Sequence, residues 1–142
     1  MKVKDIMTSN VRSMANNTSI KDVAKQMEVL NVGSIPITDR EGRPIGIVTD
    51  RDIAIRGMSS QTDYNNCISN VMSSNLMAVT PDTDIHEAAR IMSKNQIRRL
   101  PVVENDRLVG IVSIGDLAVR DVYANEAGNA LSNISRPTKS MR

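Results

Sequence analysis

GIVTDRDIAIR (residues 46–56) returns as GIVSIGDLAVR (residues 110–120). Each copy runs an apolar triplet into a hydroxyl residue, sets an aspartate three positions on, and turns apolar again. One such segment is an ordinary strand-to-helix junction. Two, at matched places in the halves of a 142-residue chain, mark a duplicated unit with paired sites.

The duplication extends well beyond the quoted stretch. At an offset of 65, KDIMTSN (residues 4–10) faces SNVMSSN (residues 69–75). Thr18, Ile20, Ala24, Met27 and Pro36 likewise face Thr83, Ile85, Ala89, Met92 and Pro101. One residue is lost where TDREGRP meets VENDRL, and the offset becomes 64 through Gly46/Gly110, Asp52/Asp116 and Arg56/Arg120. Between the copies, GMSSQTDYNNC (residues 57–67) is polar, lacks an apolar period and reads as a linker.

Each copy predicts the same elements. Ile20, Val23, Ala24, Met27 and Leu30 form one stripe at helical spacing, with Ser19 as N-cap and Asp22 three residues on. In the second copy Ile85, Ala88, Ala89 and Met92 form the stripe, with Asp84 as cap and Glu87 in the first turn. Short β-branched runs follow: SIPIT (34–38) and RLPVV (99–103), then, after the polar turns DREG and ENDR, PIGIV (44–48) and LVGIV (108–112). These predict strands. Pro36 and Pro101 predict an edge strand or a bulge, because proline has no N–H for a ladder. A last helix starts near Asp50 in one copy and near Ile114 in the other, the second running to Val122 before Gly128 weakens it.

The fold class is therefore α/β, with two β-α-β-β-α units: residues 1–60 and 68–125, a linker at 61–67, and a polar, frayed tail at 126–142 carrying Arg136, Lys139 and Arg142. A unit of about 55–60 residues is marginal alone. A sheet with helices on one face needs cover on the other. The expectation is that the sister unit supplies it about a pseudo-twofold axis, sheet to sheet, so that neither half is stable alone.

Composition narrows the function. Phe and Trp are absent and the aromatics are Tyr64 and Tyr123, which leaves no stacking platform for single-stranded nucleic acid. With 18 basic and 16 acidic residues interspersed, there is no basic stripe for a duplex. Cys67 and His86 are each the sole residue of their kind, so the chain holds no internal disulfide, no multi-cysteine zinc cluster and no nucleophile–base arrangement; His86 reads as a solvated helix residue. Catalytic and metal residues are accordingly none, and the reading is not an enzyme. No run approaches ~18 apolar residues, and MKVKDIMTSN lacks a signal-peptide core, so the expectation is no membrane and a cytoplasmic location.

The junctions carry two readings at once. Thr49 with Asp52, and Ser113 with Asp116, fit helix capping boxes. A strand that ends at a helix start also offers free backbone N–H groups to an anion. A carboxylate there can accept ribose hydroxyls, as the acid of dinucleotide folds does. Arg51, Arg98 and Arg99 are candidate phosphate partners, and Thr80, whose counterpart is Ala15, a further donor. An adenine ring would lie among aliphatic side chains: Met14, Ile35 and Pro36 in one copy, Val79, Leu100 and Pro101 in the other.

With KDIMTSN, SIKDVAKQM, GSIPITD and GRPIGIVTDRDI in one copy, and SNVMSSN, DIHEAARIM, RRLPVVENDRLVGIVSIGDL in the other, the chain resembles a tandem pair of CBS (cystathionine β-synthase-type) domains, a stand-alone Bateman module, over residues 3–120. The resemblance implies two clefts between the units that take adenosine nucleotides, with Asp52 and Asp116 as the ribose acids, Thr49 and Ser113 as their hydroxyl partners, and Arg98 and Arg99 toward phosphate. The first copy departs: Gly33 and Ser34 replace those arginines, while the second has Ile114 and Gly115 in place of Asp50 and Arg51. The two sites are not expected to bind equally.

The expected function is a regulatory module that senses AMP, ADP or ATP, with S-adenosylmethionine and NAD ranked behind them, and modulates an unidentified protein or its own assembly, a homodimer by default. The alternatives are a ligand-free interaction scaffold and a nucleic-acid-binding module.

Overall fold

Apolar residues at helical spacing behind Ser19 form helix α1 (Ile20–Leu30), and Ser19 Oγ accepts from the Asp22 N–H at 3.1 Å. Ahead of it lies the two-residue strand β1 (Met14–Ala15), and behind it β2 (Ser34–Thr38) and β3 (Pro44–Thr49). Helix α2 (Asp50–Asp52) follows and runs on into a π-helical turn, Ile53–Gly57. The second copy gives α3 (Ile85–Asn95), β4 (Arg99–Glu104), β5 (Arg107–Ser113) and α4 (Ile114–Ala118), and then adds α5 (Ala124–Ser135). This computed structural model describes residues 1–61, 63–73, 76–120 and 124–137. Helix α4 ends at Ala118, with Val119 and Arg120 in a turn, and so does not run to Val122 as expected; Lys139 and Arg142 of the tail lie outside the described residues.

The three-stranded sheet has the order β1-β2-β3, parallel then antiparallel. Strand β4 pairs with β5, and Val79 makes a parallel bridge to Val102 in the place that β1 holds in the first copy. Strand β2 is thus central, not an edge, despite Pro36. The second copy shows why. The Val79 N–H donates to the Pro101 carbonyl (3.0 Å) and the Val103 N–H donates to the Val79 carbonyl (2.8 Å). N–H and C=O of one residue point the same way in an antiparallel strand, so the missing donor of Pro101 faces the short lead-in segment and not β5. That parallel bridge uses only the proline's carbonyl. A register shift between Ile37 and Thr38 accompanies Pro36.

The chain separates into two units: Arg12–Leu76 with Asp106–Leu108, and Met1–Val11 with Met77–Asn105 and the chain from Val109 onward. The duplication is therefore crossed at its start. Residues 1–11 build the core of the second copy, where Val3 joins Ile85, Leu100 and Val112, all at 0% exposure. Ile68 and Val71, their counterparts, instead join Ile20, Val23 and Ile35 of the first copy. Backbone pairing follows the same exchange. The Val3 N–H donates to Thr83 O (2.8 Å) and Thr8 pairs with Ile111 in both directions (2.8 and 2.9 Å). The Ile68 N–H donates to Thr18 O (2.7 Å) and that of Ser73 to Ile47 O (3.3 Å). The polar stretch read as a linker is stitched down as well: the carbonyls of Asn66 and Tyr64 accept from the N–H groups of Ile20 and Lys21, both at 2.9 Å.

Two further expectations change. Ala24 is exposed, whereas its counterpart Ala89 is buried, because α5 packs along α3. The stretch expected as a frayed tail is largely that helix, with Ala127 and Ala130 turned inward. His86 is exposed, as expected, and also pairs through Nδ1 with Glu126 Oε1 of α5 at 2.5 Å. At the other end Gln96 Nε2 donates to the carbonyls of Asn133 and Arg136, each at 3.1 Å.

The lost residue in the repeat lies in the hairpins. Asn105 and Asp106, at φ 52° and 63°, make a two-residue turn between longer strands. The first copy uses a wider turn, in which the Asp39 carboxylate accepts from the N–H groups of Glu41 and Arg43, both at 2.9 Å, and from Arg43 Nε at 2.8 Å. The Arg43 backbone N–H leads the contacts that hold the Asp39 carboxyl below its ordinary value of 3.8. A carboxyl with a depressed folded pKa stabilises fully above its unfolded value, and that contribution fades as pH falls through the folded one. Asp39→Asn should therefore lower the thermal midpoint at pH 7, and the gap to wild type should close in melts at about pH 2.

Gly110 and Gly46 make room for the exchanged segments. A Cβ on Gly110 would stand 2.7 Å from Met7 Sδ and 2.9 Å from Thr8 O, and one on Gly46 would strike Ser73 O. Gly110→Ala should cost about 1–3 kcal/mol as overpacking, with amide hydrogen exchange accelerated at Thr8 and Ile111 while α1 stays protected.

Candidate functional site

Where β3 hands over to α2, the backbone must turn, and Thr49 takes the N-cap post. The Asp52 N–H donates to Thr49 Oγ1 (3.0 Å) and the Thr49 N–H donates to Asp52 Oδ2 (2.9 Å). Where β5 hands over to α4 the same box recurs: the Asp116 N–H donates to Ser113 Oγ (3.2 Å) and the Ser113 N–H to Asp116 Oδ2 (2.8 Å). All four residues are half-buried. The box fixes each aspartate's rotamer through Oδ2. It leaves Oδ1 of Asp52 and of Asp116 without a hydrogen bond among the described residues, an acceptor held in place at the rim of the fold.

The first strand of each hairpin closes on this junction. The Asp50 N–H donates to Gly33 O and the Ile114 N–H to Arg98 O, both at 2.9 Å, so the two backbones coincide. Their side chains do not. In the first copy the Asp50 carboxylate lies over Gly33, with Oδ2 3.2 Å from where a Cβ would stand, and Oδ1 accepts from the Arg51 N–H at 2.8 Å. In the second copy Arg98 and Arg99 are exposed and without an ion pair among the described residues. Asp50 is the residue that the motif reading left out. Its signal was present in the alignment of Asp50 and Gly33 against Ile114 and Arg98.

Of the candidates, Thr49 with Asp52 and Ser113 with Asp116 are joined by hydrogen bonds, Arg51 lies between the first pair in sequence, the Arg98 backbone pairs with Ile114 beside the second, and Arg99 opens β4. The aliphatic candidates divide. Ile35 and Leu100, at 1% and 0% exposure, belong to the two cores and present nothing to a ligand. Val79 is also a core residue, Pro36 and Pro101 are buried, and Met14 is half-buried against its core. Thr80 is exposed, but its hydroxyl shares a hydrogen bond with that of Thr83 at 3.0 Å. An open polar groove of about 420 Å³, lined by Asn16, Asn17 and the Asp39–Arg43 turn, contains none of the predicted residues and lies at the opposite end of β2 from the junction. Among the described residues no group of three or more His, Cys, Asp or Glu is placed to hold a metal ion.

Two junctions of this geometry on duplicated β-α-β-β-α units define a class, and the comparisons place the chain in it. The CBS-domain family model matches residues 3–58 and 68–122. The chain belongs to the CBS-domain family, as a tandem pair, or Bateman module. It is 43% identical over 133 residues to the CBS domain-containing protein YhcV of Bacillus subtilis (strain 168), covering 94% of each chain. Among solved structures it is similar to the CBS-domain pair of protein MJ0100, in complex with 5′-methylthioadenosine and S-adenosyl-L-methionine. That match has 32% identity and a TM-score of 0.75, over 83% of this chain and 93% of that one. It is also similar to CBSX2 in complex with AMP, at 27% identity and a TM-score of 0.70, over 81% of this chain and 91% of that one.

The capping boxes alone predict a structural effect. Thr49→Ala and Ser113→Ala should each lower stability by about 1 kcal/mol in urea melts. Thr49→Ser, which retains the accepting oxygen, should lie within a few tenths of wild type.

Proposed function

We propose that the chain is a ligand-sensing regulatory module that binds adenosine-containing compounds, AMP, ADP or ATP first among them, at its strand-to-helix junctions. The observation that carries this reading is the pair of capping boxes that hold Asp52 and Asp116 by Oδ2 and leave Oδ1 open. Ribose hydroxyls donate to that oxygen, and the arginines at the second junction, Arg98 and Arg99, suit a phosphate. The relatives in complex with AMP, 5′-methylthioadenosine and S-adenosyl-L-methionine support the same ligand class.

Regulation follows from linkage. A ligand that contacts one conformation better than another shifts the population toward it, by as much as the difference in affinity allows. The regulated target is a separate protein or the chain's own homodimer. No helix among the described residues is long and apolar enough to cross a membrane, and a cytoplasmic location fits a sensor of nucleotides. Within this reading the chain binds and does not catalyse.

Thermal unfolding with AMP, ADP, ATP, S-adenosylmethionine and NAD at matched concentration tests the reading. A compound that binds only the folded state stabilises it by about 2.7 kcal/mol at a hundred times its Kd. The midpoint should rise with AMP or ATP, and the rise should shrink in Asp52→Ala or Asp116→Ala. A midpoint unmoved by all five compounds would favour an interaction scaffold whose aspartates serve only as caps.

A further inference from the structure

We infer that α5 is a detachable clasp that sets the order of the second junction. It melts off α3 and α4 while the rest of its unit stays folded, and the Ser113–Asp116 box loosens when it goes. The first junction has no such clasp. This behaviour belongs to the fold itself; only its use as regulation rests on the junctions being binding sites.

The sequence of α5 does not hold a helix alone. Its twelve residues fall at the lower limit for an isolated helix, ~12–15 even with good formers. Asn125, Gly128, Asn129, Ser132 and Asn133 are poor ones. A Cβ on Gly128 would meet nothing within 4 Å, so alanine would fit there and would favour the helix. The chain thus carries a helix-weakening residue at a place where packing does not ask for one.

Docking therefore supplies the hold, and that hold is slight. Inward α5 offers Ala127 and Ala130, at 4% and 2% exposure, and the partly buried Ile134. Polar contacts clamp its ends: Glu126 to His86, Asn133 Nδ2 to Ser93 Oγ at 2.7 Å, and Gln96 Nε2 to the carbonyls of Asn133 and Arg136. On α3 it meets His86, Ala89 and Ser93, whose counterparts on α1, Lys21, Ala24 and Glu28, are all exposed. A segment with so few buried apolar contacts opens ahead of global unfolding.

Helix α4 is where the opening is felt. Five residues long, it is too short to stand by itself, and it rests on Leu117 in the core, on its capping box and on α5. In the first copy the turn after Thr49 and Asp52 is tied down differently. Arg56 Nη1 donates to the carbonyls of Val71 and Met72, at 3.3 and 3.2 Å. Its counterpart Arg120 is exposed and has no side-chain hydrogen bond or ion pair among the described residues. Support that one copy draws from an arginine, the other draws from a helix that can leave. Whatever frees α5 acts on the second junction and spares the first.

Native-state amide exchange of the full chain, read residue by residue, tests this. Amides from Ala130 to Ile134 should exchange at least about tenfold faster than those of Ala89 and Met92, relative to their intrinsic rates. Gly128→Ala should slow them about three- to fivefold and leave α1 unchanged. Gln96→Asn keeps a residue suited to the left-handed C-cap, as Asn31 is in the first copy, but is one methylene too short for the two carbonyls. Ala130→Asp places a charge in the docked face and releases α5 outright. Both should speed exchange in α5 and, by about threefold or more, at Ser113 and Asp116, with Thr49 and Asp52 unmoved. Arg56→Met should do the reverse, speeding Thr49 and Asp52 alone. Protection of α5 equal to that of Met92 would overturn the inference, as would a loosened α5 with Ser113 and Asp116 unmoved. No ligand enters these measurements, so their outcome is independent of the melts with nucleotides.

Discussion

The fold depends on an exchange of short segments at the start of each repeat. Neither repeat fills its core from its own contiguous sequence. Val3 and Ile6 complete the second copy, and Ile68 and Val71 complete the first. Each segment is admitted by a glycine at the same place in the hairpin, Gly110 against Met7 and Thr8, Gly46 against Met72 and Ser73. Burying a Val or Ile side chain contributes roughly 1.5–3 kcal/mol, so two such residues weigh heavily against a net stability of about 5–15 kcal/mol for a domain. The exchange ties the two copies into one chain-wide arrangement at the level of connectivity: cutting the sequence between the repeats removes part of both cores.

The same economy governs the junctions. A capping box is a stability device, and Thr49–Asp52 and Ser113–Asp116 satisfy backbone N–H groups that a helix start otherwise leaves open. It also immobilises a carboxylate with one oxygen committed and the other turned outward. An acid held by its own backbone loses little entropy when a ribose arrives, which is what preorganisation means for a binding site. In the proposed reading the structural role and the binding role reinforce one another, and substituting either aspartate would affect both.

Much of this was legible in the sequence because period and register are local properties. The stripes of α1 and α3, the caps at Ser19 and Asp84, the strands and the two boxes follow from spacing alone. What was not legible is long-range. The partner of KDIMTSN is decided by which core it fills, and nothing in seven residues specifies that. Of the edge or bulge that Pro36 predicted, the ladder does shift register between Ile37 and Thr38, but the strand is central, because proline's cost depends on which side of a strand its nitrogen faces and a lead-in segment two residues long leaves that side free of demand. The aliphatic residues beside the predicted ring, Ile35 and Leu100 above all, read equally as core or as cleft wall, and burial separates the two. The polar sequence ANEAGNALSNIS hid α5, since a helix that docks through alanines carries a weak apolar stripe.

That last helix completes an asymmetry that begins at the junctions. Along α1, the positions matching those under α5 are Lys21, Ala24 and Glu28, all exposed, with Lys25 and Glu28 paired at 2.8 Å. Along α3 they are His86, Ala89 and Ser93, which meet Glu126, the buried face of α5 and Asn133. One face was kept wet and the other given a cover, with matching polar partners at either end of it. At the junctions the Asp50 carboxylate lies over Gly33, and the equivalent positions in the other copy are Ile114 and Arg98. Duplication supplied two equivalent backbones, and at the junctions the capping boxes and the closing backbone hydrogen bond recur in both. The side chains that face outward from them have diverged in charge on one side and in packing on the other. Folding tolerates such divergence at exposed positions, since surface substitutions of that kind change stability by about half a kcal/mol or less.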